Sequence, residues 1–409
     1  MNKEDIQRFF EPKSIAVIGA SENTGKVGND LMLKLENFKG EVIPINPQNK
    51  EILGKKVYAS VLDYKKEIEL AIIAIPAQLV NKVLEECGKK KIKNVIIISA
   101  GFSEIGNNQA EEELKKTAEK YSINFIGPNC FGITNPAINL DVTFANKSTI
   151  SGETALISQS GALWSYIADL GIGISKFVSL GNMAKLSFVD FLEYFIQDEK
   201  TKKIILYIER LKQGKRFIEI CRNSKKPILV VKSGKSKQGL KATISHTGSL
   251  ATDYRVYSGI FNQAKIKQFQ LITEALNMKS DLPKLIETIK QIKNPEISII
   301  TNAGGAGALI TDNLELNGIS VKEAPLDVIG TALALDYKNA IENSNSNVII
   351  VIFTPQTMSQ AKETAEAIIE LSKKDKSKQI IPCFLGEASI KEAMSLFKKN
   401  KIPCFTRCV

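Results

Sequence analysis

The chain has a single histidine, His246, and its setting is unusual for a structural imidazole. It sits in Ala242-Thr243-Ile244-Ser245-His246-Thr247-Gly248-Ser249-Leu250, a stretch of small hydroxyl residues and glycine that reads as a loop. The flanks, Lys232-Ser233-Gly234-Lys235 before and Asp253 after, are polar, so nothing marks a buried apolar face. Imidazole can attack phosphorus and later leave it, being both a fair nucleophile and a good leaving group. That chemistry needs a carboxylate on the second ring nitrogen. Glu209 ends the apolar run Ile204-Ile205-Leu206-Tyr207-Ile208, and strand-end residues of α/β sheets face ligands.

Three glycine turns could cradle a phosphate, because glycines let backbone N–H groups approach and a helix start favours negative charge. The first is Val17-Ile18-Gly19-Ala20-Ser21-Glu22-Asn23-Thr24-Gly25-Lys26-Val27-Gly28, wider than the G-x-G-x-x-G dinucleotide spacing. The next strand ends Ile45-Asn46-Pro47-Gln48-Asn49-Lys50. It lacks the acidic residue that holds nicotinamide-nucleotide ribose, and suits a phosphorylated ribose such as that of CoA. The second turn is Ser158-Gln159-Ser160-Gly161, and the third is Asn302-Ala303-Gly304-Gly305. Each taken alone could equally be a turn that packs a helix; three together point to phosphate chemistry.

Two look-alikes fail. Gly234-Lys235-Ser236 resembles the end of a P-loop, but Leu229 stands where its first glycine belongs. Ser158 occupies the first glycine position of a hydrolase nucleophile elbow, so a Ser-His-Asp hydrolase is disfavoured.

The elements that must position these residues alternate apolar β-branched runs with amphipathic stretches, the pattern of parallel sheets between helices. Residues 1–130 carry runs at Ser14–Ala20, Glu41–Pro47, Leu70–Pro76, Asn94–Gly101 and Ile123–Pro128, which predicts a Rossmann-like domain. A connector, Asn129–Ser151, leads to a second α/β domain at 150–285, with strands at Thr154–Gln159, Phe177–Gly181, Lys203–Glu209 and Ile228–Ser233. A third, at 295–409, has strands at Ile297–Asn302, Val348–Thr354, Ile380–Gly386 and Ile402–Phe405.

Composition narrows the function class. The net charge of +11 comes mainly from lysines spread along the chain, with little aromatic interleaving, so nucleic acid is not the expected partner. The six cysteines form no C-x-x-C pair and only one histidine is present, so no metal site is expected. No apolar run is long enough to span a membrane and no export segment is visible, which predicts a cytoplasmic protein.

Read in order, the motifs resemble the α subunit of ADP-forming acyl-CoA synthetases of the acetate–CoA ligase type, within the succinyl-CoA synthetase superfamily. The resemblance is carried by Ile18-Gly19-Ala20-Ser21, Asn46-Pro47, Ser99-Ala100-Gly101-Phe102, Gly127-Pro128-Asn129-Cys130, Ser158-Gln159-Ser160-Gly161-Ala162, Ser245-His246-Thr247-Gly248-Ser249-Leu250-Ala251 and Thr301-Asn302-Ala303-Gly304-Gly305. It implies an N-terminal Rossmann-like CoA-binding domain followed by two flavodoxin-like, succinyl-CoA synthetase-like α/β domains. It implies a relay in which acyl-CoA and phosphate give acyl phosphate and CoA, His246 takes the phosphoryl group, and a swinging loop delivers it to ADP. Glu209 would orient His246. Ser158, Gln159, Ser160 and Gly161, and Asn302, Gly304 and Gly305, would each cradle the phosphoryl group at one end of the swing. CoA would lie over Gly19, Thr24, Gly25, Lys26 and Val27, with Asn46, Lys50, Ser99, Ala100 and Gly101 around it. ADP or ATP, with Mg2+, would be held by a separate ATP-grasp β subunit in a heterotetramer.

Three departures stand out against that pattern. Arg210 follows Glu209 where the family usually has glycine, the stretch 321–330 looks shortened, and the sequence stops at Cys408-Val409 before a terminal helix. A non-catalytic CoA- or acyl-CoA-binding regulator, and succinate rather than acetate specificity, remain alternative readings.

Overall fold

The computed structural model describes residues 3–247 and 253–409. Three mainly parallel sheets organise them. The first runs Glu41–Ile45, Ser14–Ile18, Leu70–Ile73, Asn94–Ile97, Asn124–Ile126, all parallel. The second runs Lys267–Phe269, Ile228–Lys232, Lys203–Ile208, Ile150–Ser158, Gly173–Ser179, Ile133–Asn135, Leu140–Val142. The third runs Leu326–Asp327, Ile297–Thr301, Val348–Phe353, Gln379–Phe384.

Strand side chains alternate between two faces, and here both faces are apolar. Ile15 and Val17 enter one core while Ala16 and Ile18 enter another. Ile204, Leu206 and Ile208 share the core of Ile15 and Val17, whereas Ile205 and Tyr207 belong to the next one. Ile350 and Ile352 join that layer, and Ile349, Val351 and Phe353 face a fourth. Four apolar layers thus alternate with three sheets, and neighbouring sheets share the layer between them. The N-terminal helix helps close the first shared layer: Phe10 packs on Phe191, Tyr194 and Phe195 of the helix Phe188–Gln197.

In every sheet the first strand of the unit is central, so the chain reverses direction beside it. The reversal opens a crevice at the carboxyl ends, beyond Ile18 and Ile73, beyond Ser158 and Ile208, and beyond Thr301 and Phe353. These crevices hold the turns singled out in the sequence.

The structure corrects three expectations and adds one element. The connector 129–151 contributes the strands Ile133–Asn135 and Leu140–Val142, which add antiparallel to the second sheet. Ile402–Phe405 forms no strand; only a bridge between Cys383 and Phe405 remains there. The stretch 321–330 supplies the short edge strand Leu326–Asp327. Finally, His246 lies in the last turn of the helix Lys237–Thr247 and not in a loop, while residues 248–252 of its motif lie outside the described residues. Among the described residues no helix is long and apolar enough to cross a membrane.

Candidate functional site

At the first crevice, the predicted residues divide by exposure. Thr24, Gly25, Lys26 and Lys50 are exposed and Val27 is half-buried, so a loop and two cations face outward beside Gly19. Asn46 is engaged: its Nδ2 donates to Ala20 O (2.8 Å) and its Oδ1 accepts from Gln48 N (2.9 Å), tying two strand ends together. Ser99 Oγ likewise donates to Ile75 O (2.6 Å) and accepts from Ile75 N (3.1 Å). Gly101 N donates to Glu104 Oε1 (2.5 Å), as does Phe102 N (3.1 Å), while Ala100 is exposed. Asn46 and Ser99 therefore shape the crevice, and Lys26, Lys50 and Glu22 are exposed charges around it.

The second crevice is more tightly built. Gln159 Oε1 accepts from the backbone N–H groups of Glu209 and Arg210, both at 2.8 Å, which fixes the phosphate turn to the end of the neighbouring strand. Ser158 Oγ donates to Ser160 O (2.7 Å). Gly161 then opens the helix Ala162–Asp169, whose first turn has no side-chain cap. Glu209 is 4% exposed. Burial pushes the Tyr207 phenol well above its ordinary range, and the charge of Glu209 adds to the effect.

The third-sheet turn comes to the same place. Tyr207 OH donates to Gly305 O (3.3 Å), and a Cβ on Gly305 would fall 2.6 Å from Ser160 Oγ and 2.8 Å from Tyr207 OH. Only glycine permits that approach. The helix Gly304–Leu316 also starts without a side-chain cap, so two open helix N-termini converge beside Glu209. Gly305 and Ser160 are therefore neighbours. Asn302, expected to hold phosphate, is 1% exposed and occupied: Oδ1 accepts from Thr354 N (2.8 Å) and Oγ1 (3.0 Å), and Nδ2 donates to Thr354 O (3.0 Å). Its side chain closes the end of the third sheet.

Sequence reasoning missed Asp312. The failed P-loop turn does bind an anion, but an internal one. Asp312 accepts from Gly234 N (2.7 Å), Lys235 N (2.9 Å), Ser236 N (2.7 Å) and Ser236 Oγ (2.8 Å). These donors open the helix that carries His246, so that helix is seated on the third sheet's first helix. The legible signal was Asp312 and Glu315, three residues apart on one helical face; Glu315 Oε2 accepts from Gln238 N (3.1 Å).

Lys232, at the end of its strand, was also missed. It is 2% exposed, and its ammonium donates to Ser233 O and lies 4.4 Å from the Tyr257 ring centre. Burial pushes it down to about 8, against the pull of Asp312 and Glu209. An unfolded lysine titrates near ~10.4, so between about pH 8 and pH 10 the unfolded chain binds the extra proton and stability rises with pH. Relative to Lys232→Met, the wild type should gain on the order of 2–3 kcal/mol across that window. Denaturant melts of both proteins at pH 7.5 and 10 measure the gain; identical slopes would exclude the burial cost.

Comparisons with known proteins identify the family. A family described as "CoA binding domain" matches residues 13–136, and "Succinyl-CoA ligase like flavodoxin domain" matches 151–280. The α subunit of ADP-forming acetate–CoA ligase I from Pyrococcus furiosus is 36% identical, covering 98% of this chain and 94% of that subunit. The chain belongs to the α-subunit family of ADP-forming acetate–CoA ligases. An ADP-forming acetate–CoA ligase from Methanocaldococcus jannaschii is 44% identical over 98% of this chain. This chain spans only 61% of that protein and of a second, from Archaeoglobus fulgidus, about three fifths of their length. Among solved structures, the dinucleotide-forming acetyl-coenzyme A synthetase 1 of Ca. Korarchaeum cryptofilum, in complex with phosphate and ADP, superposes with a TM-score of 0.64. It is 32% identical, covering 98% of this chain and 94% of that one.

Proposed function

We propose that this chain is the phosphoryl-carrying α subunit of an ADP-forming acyl-CoA synthetase, with acetyl-CoA as the first substrate to test. The observation that carries the reading is the meeting of two uncapped helix starts, at Gly161 and Gly304, beside buried Glu209. The helix bearing His246 is seated on the same third-sheet helix. Preorganised N–H groups and helix N-termini stabilise a phosphoryl group without further machinery.

The reaction balances as follows. Phosphate attacks the thioester carbonyl of acyl-CoA and CoA leaves as the thiol, giving acyl phosphate. The imidazole of His246 attacks phosphorus, a P–N bond forms, and the carboxylate departs as the acyl–O–P bond breaks. A β-phosphate oxygen of ADP then takes the phosphoryl group from nitrogen, giving ATP; every step is reversible. Glu209 orients the imidazole and stabilises its charged form. The two helix starts, one at Ser158–Gly161 and one at Gly304–Gly305, hold the phosphoryl oxygens together at one end of the relay.

CoA fits the first crevice, where Lys26 and Lys50 offer exposed positive charge beside the glycine turn and Gly19 lines the floor. In this reading the three domains divide at 1–130, 150–285 and 295–409. A separate ATP-grasp β subunit supplies ADP or ATP and Mg2+, in a heterotetramer. Succinate specificity is a variant of the same reading and shares its test.

Incubating the assembled complex with ATP labelled on the γ-phosphate should transfer label to this chain in an acid-labile, base-stable form. CoA and acetate together should then discharge it. A CoA-binding regulator with no catalytic role would bind CoA and take up no label.

A further inference from the structure

Two cations follow Glu209 into the junction between the first and second sheets. Arg210 is half-buried; its backbone N–H is fixed to Gln159, and its Nη2 donates to the Asn182 carbonyl. Its Nε is buried with no hydrogen-bond partner, and the ion pairs formed among the described residues do not include it. Lys212 stands behind it, with Nζ donating to Met183 O (2.5 Å). Burial pushes that ammonium down to about 8, with Arg210 and Lys115 adding to the effect and Glu111 and Glu112 opposing it.

Two carboxylates, Glu104 and Glu111, are held by neutral donors beside the same Asn182. Glu104 accepts from Gly101 N, Phe102 N and Asn182 Nδ2, and Glu111 accepts from Ser103 Oγ (2.6 Å) and Asn182 Nδ2 (2.9 Å). Arg210 thus keeps a buried N–H with no acceptor, a place where an oxygen of an anionic ligand completes the guanidinium's hydrogen bonds. The place itself is informative. Asn182 N donates to Pro128 O (2.9 Å) and Ala184 N to Gly127 O (3.1 Å), so the carboxyl edges of the first two sheets meet here. Arg210 therefore stands between the crevice that suits a thioester and the turn that suits a phosphoryl group.

We propose that Arg210, backed by Lys212, is an oxyanion seat at this junction, holding either a carboxylate on the acyl group or the phosphate oxygens of the acyl phosphate. A planar guanidinium matches both groups with two parallel N–H donors. The seat rests on the reading that this crevice makes and uses acyl phosphate. It goes beyond that reading by assigning a residue that selects or grips the substrate.

The test uses the assembled complex with Arg210→Ala and Arg210→Lys, with acetyl-CoA and succinyl-CoA as donors and phosphate varied. Arg210→Ala should lower kcat/KM about tenfold to a hundredfold, the size of a lost charge-assisted contact. Arg210→Lys should recover part of the loss. A raised KM for phosphate with both donors assigns the seat to the phosphoryl group. A loss confined to succinyl-CoA assigns it to a carboxylate on the acyl chain. Labelling of His246 from ATP should stay at the wild-type level in both variants. Unchanged kinetics with both donors would overturn the seat, and so would a parallel loss of labelling, which marks a merely structural role. Failure of the wild-type complex to take label at all sinks the functional reading instead.

Discussion

His246→Asn should abolish acyl-CoA-dependent ATP formation by the assembled complex, with a fall of at least ~10³-fold. Asparagine has comparable size and can hydrogen-bond, but its amide nitrogen is no nucleophile toward phosphorus and cannot carry a transferable phosphoryl group. The loss should appear in kcat for both directions and label from ATP should vanish, because in the proposed relay each half-reaction passes through the same nitrogen. Neither CoA binding nor the thermal midpoint should move much, since the CoA crevice belongs to the first sheet and residue 246 lies in the last turn of its helix. Glu209→Gln should give a smaller defect, steepest where imidazolium must form, since the amide keeps the shape but not the charge. Wild-type turnover by His246→Asn would end the proposal.

The parts of this fold that were legible in sequence were those dictated by local physics. Runs such as Ser14–Ile18, Leu70–Ile73 and Val348–Phe353 are apolar without alternation, and each is buried at every position, as a strand covered on both faces requires. The three turns were equally readable as strand-to-helix turns, because each puts glycine shortly after an apolar run. What failed depended on partners far away in the chain. The strands Ile133–Asn135 and Leu140–Val142 are three residues each and flanked by turn residues, too short for periodicity to register. They exist because the second sheet offers an open edge at Gly173–Ser179.

The site shows the same division. Ser158–Gly161 and Glu209 were recognised as strand-end residues, and the switch-point rule puts them in one crevice. Nothing local reveals that Gly305 packs against Ser160, or that Asn302 spends its amide on Thr354. The His246 segment was misread for a related reason. Serine, threonine and glycine lower helix propensity, yet the helix Lys237–Thr247 forms because its N-terminus is satisfied by a carboxylate from another sheet. A tertiary cap outweighed composition.

That cap makes the second large prediction. Asp312 is 1% exposed and accepts hydrogen bonds from Gly234, Lys235 and Ser236, and a Cβ on Gly239 would fall 2.0 Å from its Oδ1. Burial pushes this carboxyl up and its donors pull it back, so the group is costly to bury and costly to remove. Asp312→Ala would strand one buried and two part-buried backbone N–H groups and a hydroxyl, and should destabilise the protein by about 3 kcal/mol. Asp312→Asn should cost less, about 2 kcal/mol, because its oxygen still accepts while its NH2 opposes an N–H group. Glu315→Gln, whose amide oxygen can still accept from Gln238 N, should cost under ~1 kcal/mol. Urea melts give this ranking directly, and labelling of His246 should fall in the same order as the arm loses its seat. An Asp312→Ala protein that melts with the wild type would mean the helix bearing His246 stands without its anchor.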